Sequence, residues 1–277
     1  MAWPKIKNII ILILLGTNLC LLGFTVGRSV YSQSLQGQAR ADAITFLQSK
    51  GIQLQEPQVP QSMTLTPMLV SRDVEQEPIL AAALLEGEVS VEARGAEVYR
   101  YYNENGSVQF HSNGEFSARF TAGAMQVGEE SLQEHSEQIM LRLGIQGSAY
   151  SAVAVSEDGT KTIGFREEWD GVPLMNCQAS LNYVDGSLVS ITGGRRLVGE
   201  PEKNNAQQPI TVATALMKFY NGVASMGDAC TQISSIIQGY MVTSTISDPM
   251  PLTPVWYITT DIRTYQLDTL TGTLSRV

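Results

Sequence analysis

The sequence predicts an α+β fold in which antiparallel sheets carry helices on one face, preceded by an N-terminal transmembrane helix. Three observations support this prediction: a long uncharged apolar run near the N-terminus, three segments with helical periodicity, and a series of turn dipeptides between β-rich stretches. The chain has 277 residues, of which 43% are hydrophobic. That content is sufficient for a packed core and too high for a disordered chain.

The predicted transmembrane helix covers residues 9–27. Ile9 to Val26 contains no charged residue, and 18 residues at about 1.5 Å each span roughly 27 Å, close to the thickness of the hydrocarbon layer. Trp3 and Tyr31 flank this run, where interfacial aromatic residues are common. A cleaved signal peptide is the alternative, but the run is longer than usual for one and no suitable cleavage site follows closely.

The orientation of this helix is predicted from its flanking charges. Lys5 and Lys7 precede the span, and Arg28 and Arg40 follow it, so the cations are balanced. Because residues 1–8 form a very short tail with two lysines, we expect this tail to be cytoplasmic. The chain is therefore predicted to be a single-pass protein of the cell membrane with an extracellular C-terminal body.

Small residues form one face of the predicted span. Gly16, Cys20, Gly23 and Gly27 recur at spacings of four, three and four, which places them on one stripe of a helix. Such a stripe allows a second helix to approach closely, and Asn18 adds an amide that seeks a hydrogen-bond partner. We predict these five residues as transmembrane partner contacts. Chance is the alternative, since glycine is common in membrane helices.

Three helices are predicted in the body from apolar periodicity and from a glycine that follows each segment. They cover Gln38–Lys50, Glu129–Leu143 and Thr211–Asn221.

The β-rich stretches are separated by residue pairs that favour tight turns, mostly Asn-Gly and Asp-Gly, which readily adopt positive φ. The pairs are Asn105-Gly106, Asn113-Gly114, Asp158-Gly159, Asp170-Gly171, Asp185-Gly186 and Thr271-Gly272. The predicted strands are Val98–Tyr102, Thr162–Phe165, Gln178–Tyr183, Leu188–Thr192, Val255–Thr260 and Thr264–Leu267.

Two polar, proline-containing stretches, Gln53–Pro78 and Gly199–Pro209, are interpreted as linkers. The resulting organisation has a membrane-proximal α+β unit and a C-terminal α+β region with two subunits. The predicted boundaries of these parts are 28–121 for the first unit, 129–277 for the C-terminal region, and 129–198 and 210–277 for its subunits.

The charge of the chain excludes several classes of function. Lys and Arg total 18, and Asp and Glu total 27, which gives a formal net charge of −9. Three of the cations precede Ser29, so the rest of the chain has 15 cations against 27 anions, a net charge of −12. A groove that binds nucleic acid and a surface that lies on anionic lipid both need clustered cations. The net negative charge of the body therefore argues against both kinds of protein. With three Cys and two His, a Cys-rich zinc module is also excluded.

The two histidines do not form a recognisable catalytic motif. His135 lies four residues after Ser131, so the two would be neighbours on a helix, but no oriented acid or oxyanion site accompanies them. His111 lies in a strand-like stretch and shares no metal-ligand spacing with His135.

A carboxylate cluster and a basic spot complete the candidates for chemistry. Glu167, Glu168 and Asp170 could serve glycoside hydrolysis, but neighbouring residues on a strand point to opposite faces. Arg195 and Arg196 follow two glycines, a pattern that a turn explains as well as a ligand site does. The sequence therefore predicts no catalytic residue, no cofactor site and no metal site, and a protein that is not an enzyme.

Cys177 and Cys230 would both lie outside the membrane, and they are either disulfide-bonded or buried as free thiols. Spacing alone does not decide between these alternatives.

Several segments resemble YycI-type proteins. The opening MAWPKIKNII is similar to their Trp-x-Lys-x-Lys start, which runs into an aliphatic span with an Asn near its middle, here Asn18. Residues 43–52 resemble the short helix that follows the span, and residues 170–184 resemble the family's strand pair. Residues 254–272 are similar to the last hairpin of PepSY-like domains, which YycH, YycI and YpeB relatives share. Pro4 departs from the pattern, because a polar residue is more usual there.

This resemblance implies a non-enzymatic accessory protein of an essential sensor histidine kinase in Gram-positive bacteria. It also implies a PepSY-like fold and action beside the kinase, together with a YycH-like partner, in the control of cell-wall metabolism. A homodimer remains open. Two alternatives are a PepSY-like extracellular module that binds a partner or restrains a protease, and a cell-surface hydrolase.

Overall fold

A computed structural model describes most of the body of the protein. The described ranges are residues 34–128, 130–156, 159–196, 201–243 and 249–277. None of the helices in these ranges has both the length and the apolar character needed to cross a membrane. The predicted span at residues 9–27 lies outside the described ranges, as do its contact residues Gly16, Asn18, Cys20, Gly23 and Gly27, so this part stays a prediction.

The described residues form four α-helices, and the three helices predicted from the sequence are among them. They are α1 (described over residues 34–49), α2 (Glu77–Leu84), α3 (Leu132–Arg142) and α4 (Val212–Ser225). A short 3-10 helix covers Glu56–Gln58. Helix α2 was not predicted, and its first residues lie inside the segment interpreted as a linker.

Local capping explains where α3 and α4 begin. Ser131 caps α3: its hydroxyl accepts a hydrogen bond from the Glu134 amide at 3.2 Å, and the Glu134 carboxylate accepts one from the Ser131 amide at 2.9 Å. Thr211 caps α4 in the same position, accepting from the Thr214 amide at 3.3 Å. Gly144 follows α3 with a φ of +71°, a conformation that favours glycine.

Fourteen strands are described, and all six predicted strands are confirmed among them. In chain order β1 to β14 are Met68–Val70, Ser90–Ala93, Tyr99–Asn103, Gly106–Phe110, Phe116–Phe120, Gln146–Val155, Lys161–Trp169, Val172–Val184, Ser187–Gly193, Glu202–Lys203, Ile233–Val242, Met250–Thr260, Thr264–Asp268 and Leu274–Arg276.

The turn predictions are confirmed wherever both residues are described. The pair at Asp170 connects β7 to β8, and the pair at Asp185 connects β8 to β9. In each of these pairs the aspartate and the following glycine both have positive φ, between +48° and +76°. This is the conformation of the tight turns that match the twist of antiparallel strands. Residue 158 of the Asp158-Gly159 pair lies outside the described ranges.

The strands form one sheet with two halves. The first half has the order β2-β3-β4-β5-β9-β8-β7-β6, and all its pairings are antiparallel. In the second half β12 pairs with β1, β11 and β13, while β10 extends β1 and β14 extends β13. Strands β8 and β11 join the two halves in parallel at Leu174 and Tyr240. The structure thus confirms a mixed α+β architecture with a large sheet.

Three clusters of buried apolar side chains lie against this sheet. The first core joins α2 and α3 to the first sheet half, and the predicted boundary near residues 121–129 falls within it. The second core joins α1 and α4 to β11–β14. The junction core is smaller and contains Leu174, Cys177, Tyr240 and Val242 beside residues of β1 and β12. Helix α1 therefore packs with the C-terminal residues, although the sequence grouped it with residues 28–121.

The two segments interpreted as linkers are built into the fold. Leu54 and Val59 are buried in the second core, and β1 pairs with both β10 and β12. Strand β10, from the second segment, completes that edge. The apolar residues of the first segment are widely spaced among Gln and Pro, so they show no helical or strand periodicity. The pairing of β1 with distant strands was therefore not predicted.

Candidate functional site at the junction of the two sheet halves

Helix α1 is fastened to the second core by a buried arginine. Arg40 is 8% exposed, and its guanidinium donates to four oxygens. The acceptors are the carbonyls of Glu56, Val59 and Pro60 at 2.8, 2.9 and 3.0 Å and the Glu56 carboxylate at 3.0 Å. About two turns further along α1, Leu47 is fully buried. This guanidinium is well satisfied, as buried charges must be.

The residues of α1 that precede Arg40 are not held by these hydrogen bonds. Residues 34–39 are exposed, and a cavity of about 560 Å³ lies beside them. Its lining includes Leu35 and Ala39 of α1, Met63, and the residues around Ile210 at the start of α4. Lys203 also lines this cavity. This region of the body is the part nearest in sequence to the predicted span.

The connection between the sheet halves depends on an irregularity in β8. Arg166 of β7 pairs with Gln178, but Glu168 pairs with Pro173, so the intervening part of β8 departs from β7. That part of β8 instead approaches β11, where Leu174 is paired with Tyr240.

Asn176 and Gly239 hold β8 against β11, and Tyr240 of β11 is also bonded to the segment that precedes β1. The Asn176 amide donates to the Val242 carbonyl at 2.8 Å and accepts from the Val242 amide at 2.9 Å, which imitates a strand pairing. Gly239 allows the close approach, because a Cβ there would lie 2.6 Å from the Pro173 carbonyl oxygen. The Tyr240 hydroxyl also donates to the Thr66 carbonyl at 2.9 Å. The junction is therefore a specific contact of few residues.

Glu167 is buried where β8 departs from β7. Its side chain has 0% exposure, and its Oε1 accepts a hydrogen bond from the Arg195 amide at 2.8 Å. Its Oε2 has no hydrogen-bond partner among the described residues. Burial raises the pKa of Glu167 to about 8, and the amide and charge of Arg195 oppose this shift only in part.

Arg195 supplies the second incompletely paired group. Its side chain is 10% exposed, and its Nη2 donates to the Glu115 carboxylate at 2.7 Å. Its Nη1 is buried and, within the described ranges, makes no hydrogen bond. Gly194 is required beside it, because a Cβ there would lie 2.8 Å from the Glu167 Oε1. Two buried polar atoms of opposite hydrogen-bonding character therefore lie in one region.

These residues line a cavity of about 390 Å³. Its wall includes Gln146, Glu167, Glu168, Trp169, Asp170 and Arg195. All three carboxylates considered from the sequence are thus brought to one cavity, although they differ in exposure: Glu167 is buried, Glu168 is half-buried and Asp170 is exposed. The turn after β7 and the departure of β8 allow neighbours in sequence to share this wall.

The basic spot predicted from Arg195 and Arg196 is not a surface patch. Arg196 is 4% exposed, and its guanidinium carbon lies 5.9 Å from the centre of the Phe110 ring. Burial lowers the pKa of Arg196 to about 10. Both arginines belong to the interior of the molecule.

The histidines are placed apart, and Ser131 does not pair with the His135 side chain. His135 is buried, its Nδ1 lies 3.0 Å from the Tyr183 hydroxyl, and burial lowers its pKa. That hydroxyl also lies 2.8 Å from the Ser136 hydroxyl, which donates to the Leu132 carbonyl. His111 accepts from the Gln109 side chain on β4 at 3.0 Å.

Cys177 and Cys230 are free and buried, Cys177 in the junction core and Cys230 in the second core. Burial raises the pKa of both thiols, which disfavours the reactive thiolate. In the part of the chain that is described, no group of three or more His, Cys, Asp or Glu side chains is arranged to hold a metal ion.

Sequence reasoning missed the pairing of Glu167 with Arg195 and the role of Asn176. The two glycines before Arg195 were the available signal, since Gly194 permits the approach of the Glu167 carboxylate.

Comparisons with known proteins were made on sequence and on structure. No family model matches the chain, and no curated protein matches it. A crystal structure of an uncharacterized protein from Eubacterium rectale aligns with 77% of this chain and 86% of its own, at 12% identity and a TM-score of 0.46. YycH from Bacillus subtilis aligns over 72% of this chain and 52% of its own, at 10% identity and a TM-score of 0.35. YycH is thus a distant structural neighbour, matched over about half its length.

Proposed function

We propose that the chain is a non-enzymatic, membrane-anchored accessory protein that regulates a two-component sensor histidine kinase in cell-wall homeostasis. Its contacts are made within the membrane, through the stripe containing Gly23 and Gly27, and outside it, through the body. A sensor histidine kinase and a YycH-like protein are the partners that the resemblance to YycI-type proteins implies.

The observation that carries this proposal is the attachment of α1. Only residues 28–33 separate the predicted span from the described start of α1, and a chain of that length reaches at most about 25 Å. Arg40 and Leu47 then fix α1 to the second core. A body attached so close to a membrane helix is suited to act on a neighbouring protein in the same membrane.

The mechanism needs only a difference in contact energy. A kinase with two conformations is biased when its neighbour binds one conformation more tightly than the other. A coupling free energy of about 1–3 kcal/mol changes the ratio of the two conformations by roughly 5- to 150-fold.

The test is co-purification of the full chain from membranes with a sensor histidine kinase and a YycH-like protein. We expect Gly23→Leu and Asn18→Leu to reduce recovery of the partners at least several-fold, because the first fills the small-residue stripe and the second removes the amide that the span presents on its other side. Val26→Ile is the matched control, because Val26 lies on the flank of the predicted helix, away from both the small-residue stripe and Asn18.

Unchanged recovery in both variants, with the chain still in the membrane, contradicts a contact through the span. If recovery also persists when residues 1–28 are deleted, the extracellular binding-module alternative is favoured.

A further inference from the structure

The cavity beside Glu167 has the chemistry of a small-ligand site. We propose that it binds a primary ammonium group with a carbonyl or carboxylate oxygen beside it, as in a free α-amino acid or the N-terminal residue of a peptide. The ammonium contacts Glu167, and the oxygen contacts Arg195. This site stands independently of any contact with a kinase.

Glu167 provides the acceptor for the ammonium. One of its oxygens is occupied by the Arg195 amide, while the other has no partner within the described ranges, although the side chain is fully buried. A buried polar atom without a partner is costly, so each such atom calls for an explanation, and a bound group is one that fits an atom beside a cavity. An N–H donor from a ligand supplies what this oxygen lacks.

Arg195 provides the donor for the neighbouring oxygen. Its Nη2 is already bound to Glu115, which fixes the guanidinium plane, while its buried Nη1 has no acceptor among the residues described. A carboxylate or carbonyl oxygen is the natural partner of a guanidinium N–H. Because both residues line one cavity, a ligand that satisfies both atoms must carry a donor and an acceptor.

The remainder of the wall favours a cation. Glu168 and Asp170 add two carboxylates at the same cavity, and Trp169 adds an aromatic ring, which attracts ammonium groups. The positive charge of Arg195 is already opposed by Glu115. The volume of about 390 Å³ lies at the lower end of small-molecule sites, which is the size expected for one amino acid.

Proton release provides a distinctive signature of this site. Burial raises the pKa of Glu167 to about 8, so at pH 7 the carboxyl is mostly protonated and must lose its proton to bind an ammonium. Of the other groups near it, Arg195 is cationic, and burial raises the pKa of Cys177, which keeps the thiol neutral. Glu168 and Asp170 face the cavity from the end of β7 and its turn. Affinity should therefore rise about tenfold per pH unit below pH 8 and fall again where the ligand amine loses its own proton, which is at about pH 8 for a peptide N-terminus and at higher pH for a free amino acid.

The experiment is calorimetric titration of the full chain in detergent micelles with three probes. L-Leucine and L-leucinamide carry both groups, and N-acetyl-L-leucine lacks the ammonium. We expect saturable binding of L-leucine or L-leucinamide at one site per chain, and at least tenfold weaker binding of N-acetyl-L-leucine. L-Leucine alone binding indicates a free amino acid as the ligand, whereas L-leucinamide binding at least as tightly indicates a peptide N-terminus. At pH 7, two buffers with different heats of ionisation should reveal close to one proton released per ligand.

Glu167→Gln keeps the shape of the side chain and removes its ionisation. We expect it to weaken binding at least tenfold and to abolish proton release, while Glu92→Gln on the distant, exposed β2 leaves both unchanged. Arg195→Lys should weaken binding of L-leucine without changing proton release. Three results would overturn the proposal: no binding of either amine, equal binding of N-acetyl-L-leucine, or wild-type binding by a folded Glu167→Gln variant.

Discussion

Two of the buried charged sites in the described residues differ in how completely their polar atoms are paired. The Arg40 guanidinium gives hydrogen bonds to four oxygens and fastens α1 to the second core. At the junction, Glu167 and Arg195 each keep one buried atom without a partner in the described ranges. A fully paired charge suits stable attachment, whereas an unpaired buried group is costly and calls for a role of its own. The first site therefore serves structure, and the second is the better candidate for function.

The largest expected effect is on the attachment of α1. Leu47 is fully buried in the second core, so Leu47→Ala removes apolar contacts and leaves a cavity. We expect a loss of about 3–5 kcal/mol in the free energy of unfolding, measured by denaturant titration. Leu141→Ala is the matched control, because Leu141 on α3 is 64% exposed and should change stability by less than about 0.5 kcal/mol. Equal losses in both variants would contradict the packing of α1.

The junction should make stability depend on pH. Folding raises the pKa of Glu167 from 4.5 to about 8, so the folded state favours the protonated carboxyl. This contribution is fully present below about pH 4.5 and is lost as the pH rises to about 8, a difference of a few kcal/mol. Comparing denaturant titrations across this range isolates the effect, because Glu167→Gln should flatten the dependence. A variant that retains the wild-type slope would show that another group is responsible.

A smaller loss is expected at the fully paired charge. Arg40→Met keeps much of the apolar contact but leaves the carbonyls of Glu56, Val59 and Pro60 without their donor. We expect about 2–3 kcal/mol of destabilisation in the same denaturant assay. Arg94→Met, at an exposed ion pair with Glu92, should cost less than about 1 kcal/mol. If Arg40→Met cost no more stability than Arg94→Met, the Arg40 site would not be the structural contact that distinguishes it from the Glu167–Arg195 site.

The smallest effect should come from the side-chain contact between the sheet halves. Asn176→Leu removes two hydrogen bonds to Val242, but Asn176 is exposed and water can replace part of them. We expect a loss of about 1 kcal/mol, together with faster amide hydrogen exchange at Val242. Asn221→Leu on the exposed face of α4 should alter neither quantity. Unchanged exchange at Val242 in the first variant would indicate that backbone pairing alone holds the junction.

Sequence reasoning succeeded where the signals were local. The turns at Asp170 and Asp185 and the apolar periodicity of the helices depend on residues close together in the chain, so the hairpins and helices were predictable. The start of α3 was placed at Glu129, whereas the helix begins at Leu132, after the Ser131 cap.

The features that were missed depend on contacts between residues distant in sequence. Strand β1 pairs with residues near 202 and 251, so its neighbours in sequence gave no sign of it. Glu167 meets Arg195 across 28 positions, and the pair forms only because β8 departs from β7 between them. Glu167 and Glu168 were expected to point to opposite faces of a strand, and they do differ in exposure. One cavity nevertheless includes both residues and Asp170, because β8 departs from β7 beside them.

The placement of α1 also has a consequence for synthesis. Leu47 packs against residues of α4 and the last strands, which are more than 160 positions further along the chain. Until the ribosome has added those residues, α1 has no apolar surface to pack against. The residues between α1 and α4 must then close a long loop before α1 can join the second core. The first core, which uses residues 81–191, can assemble earlier. Nascent chains long enough to place residue 191 outside the ribosome, but not α4, should therefore protect α3 from protease while leaving α1 open to cleavage.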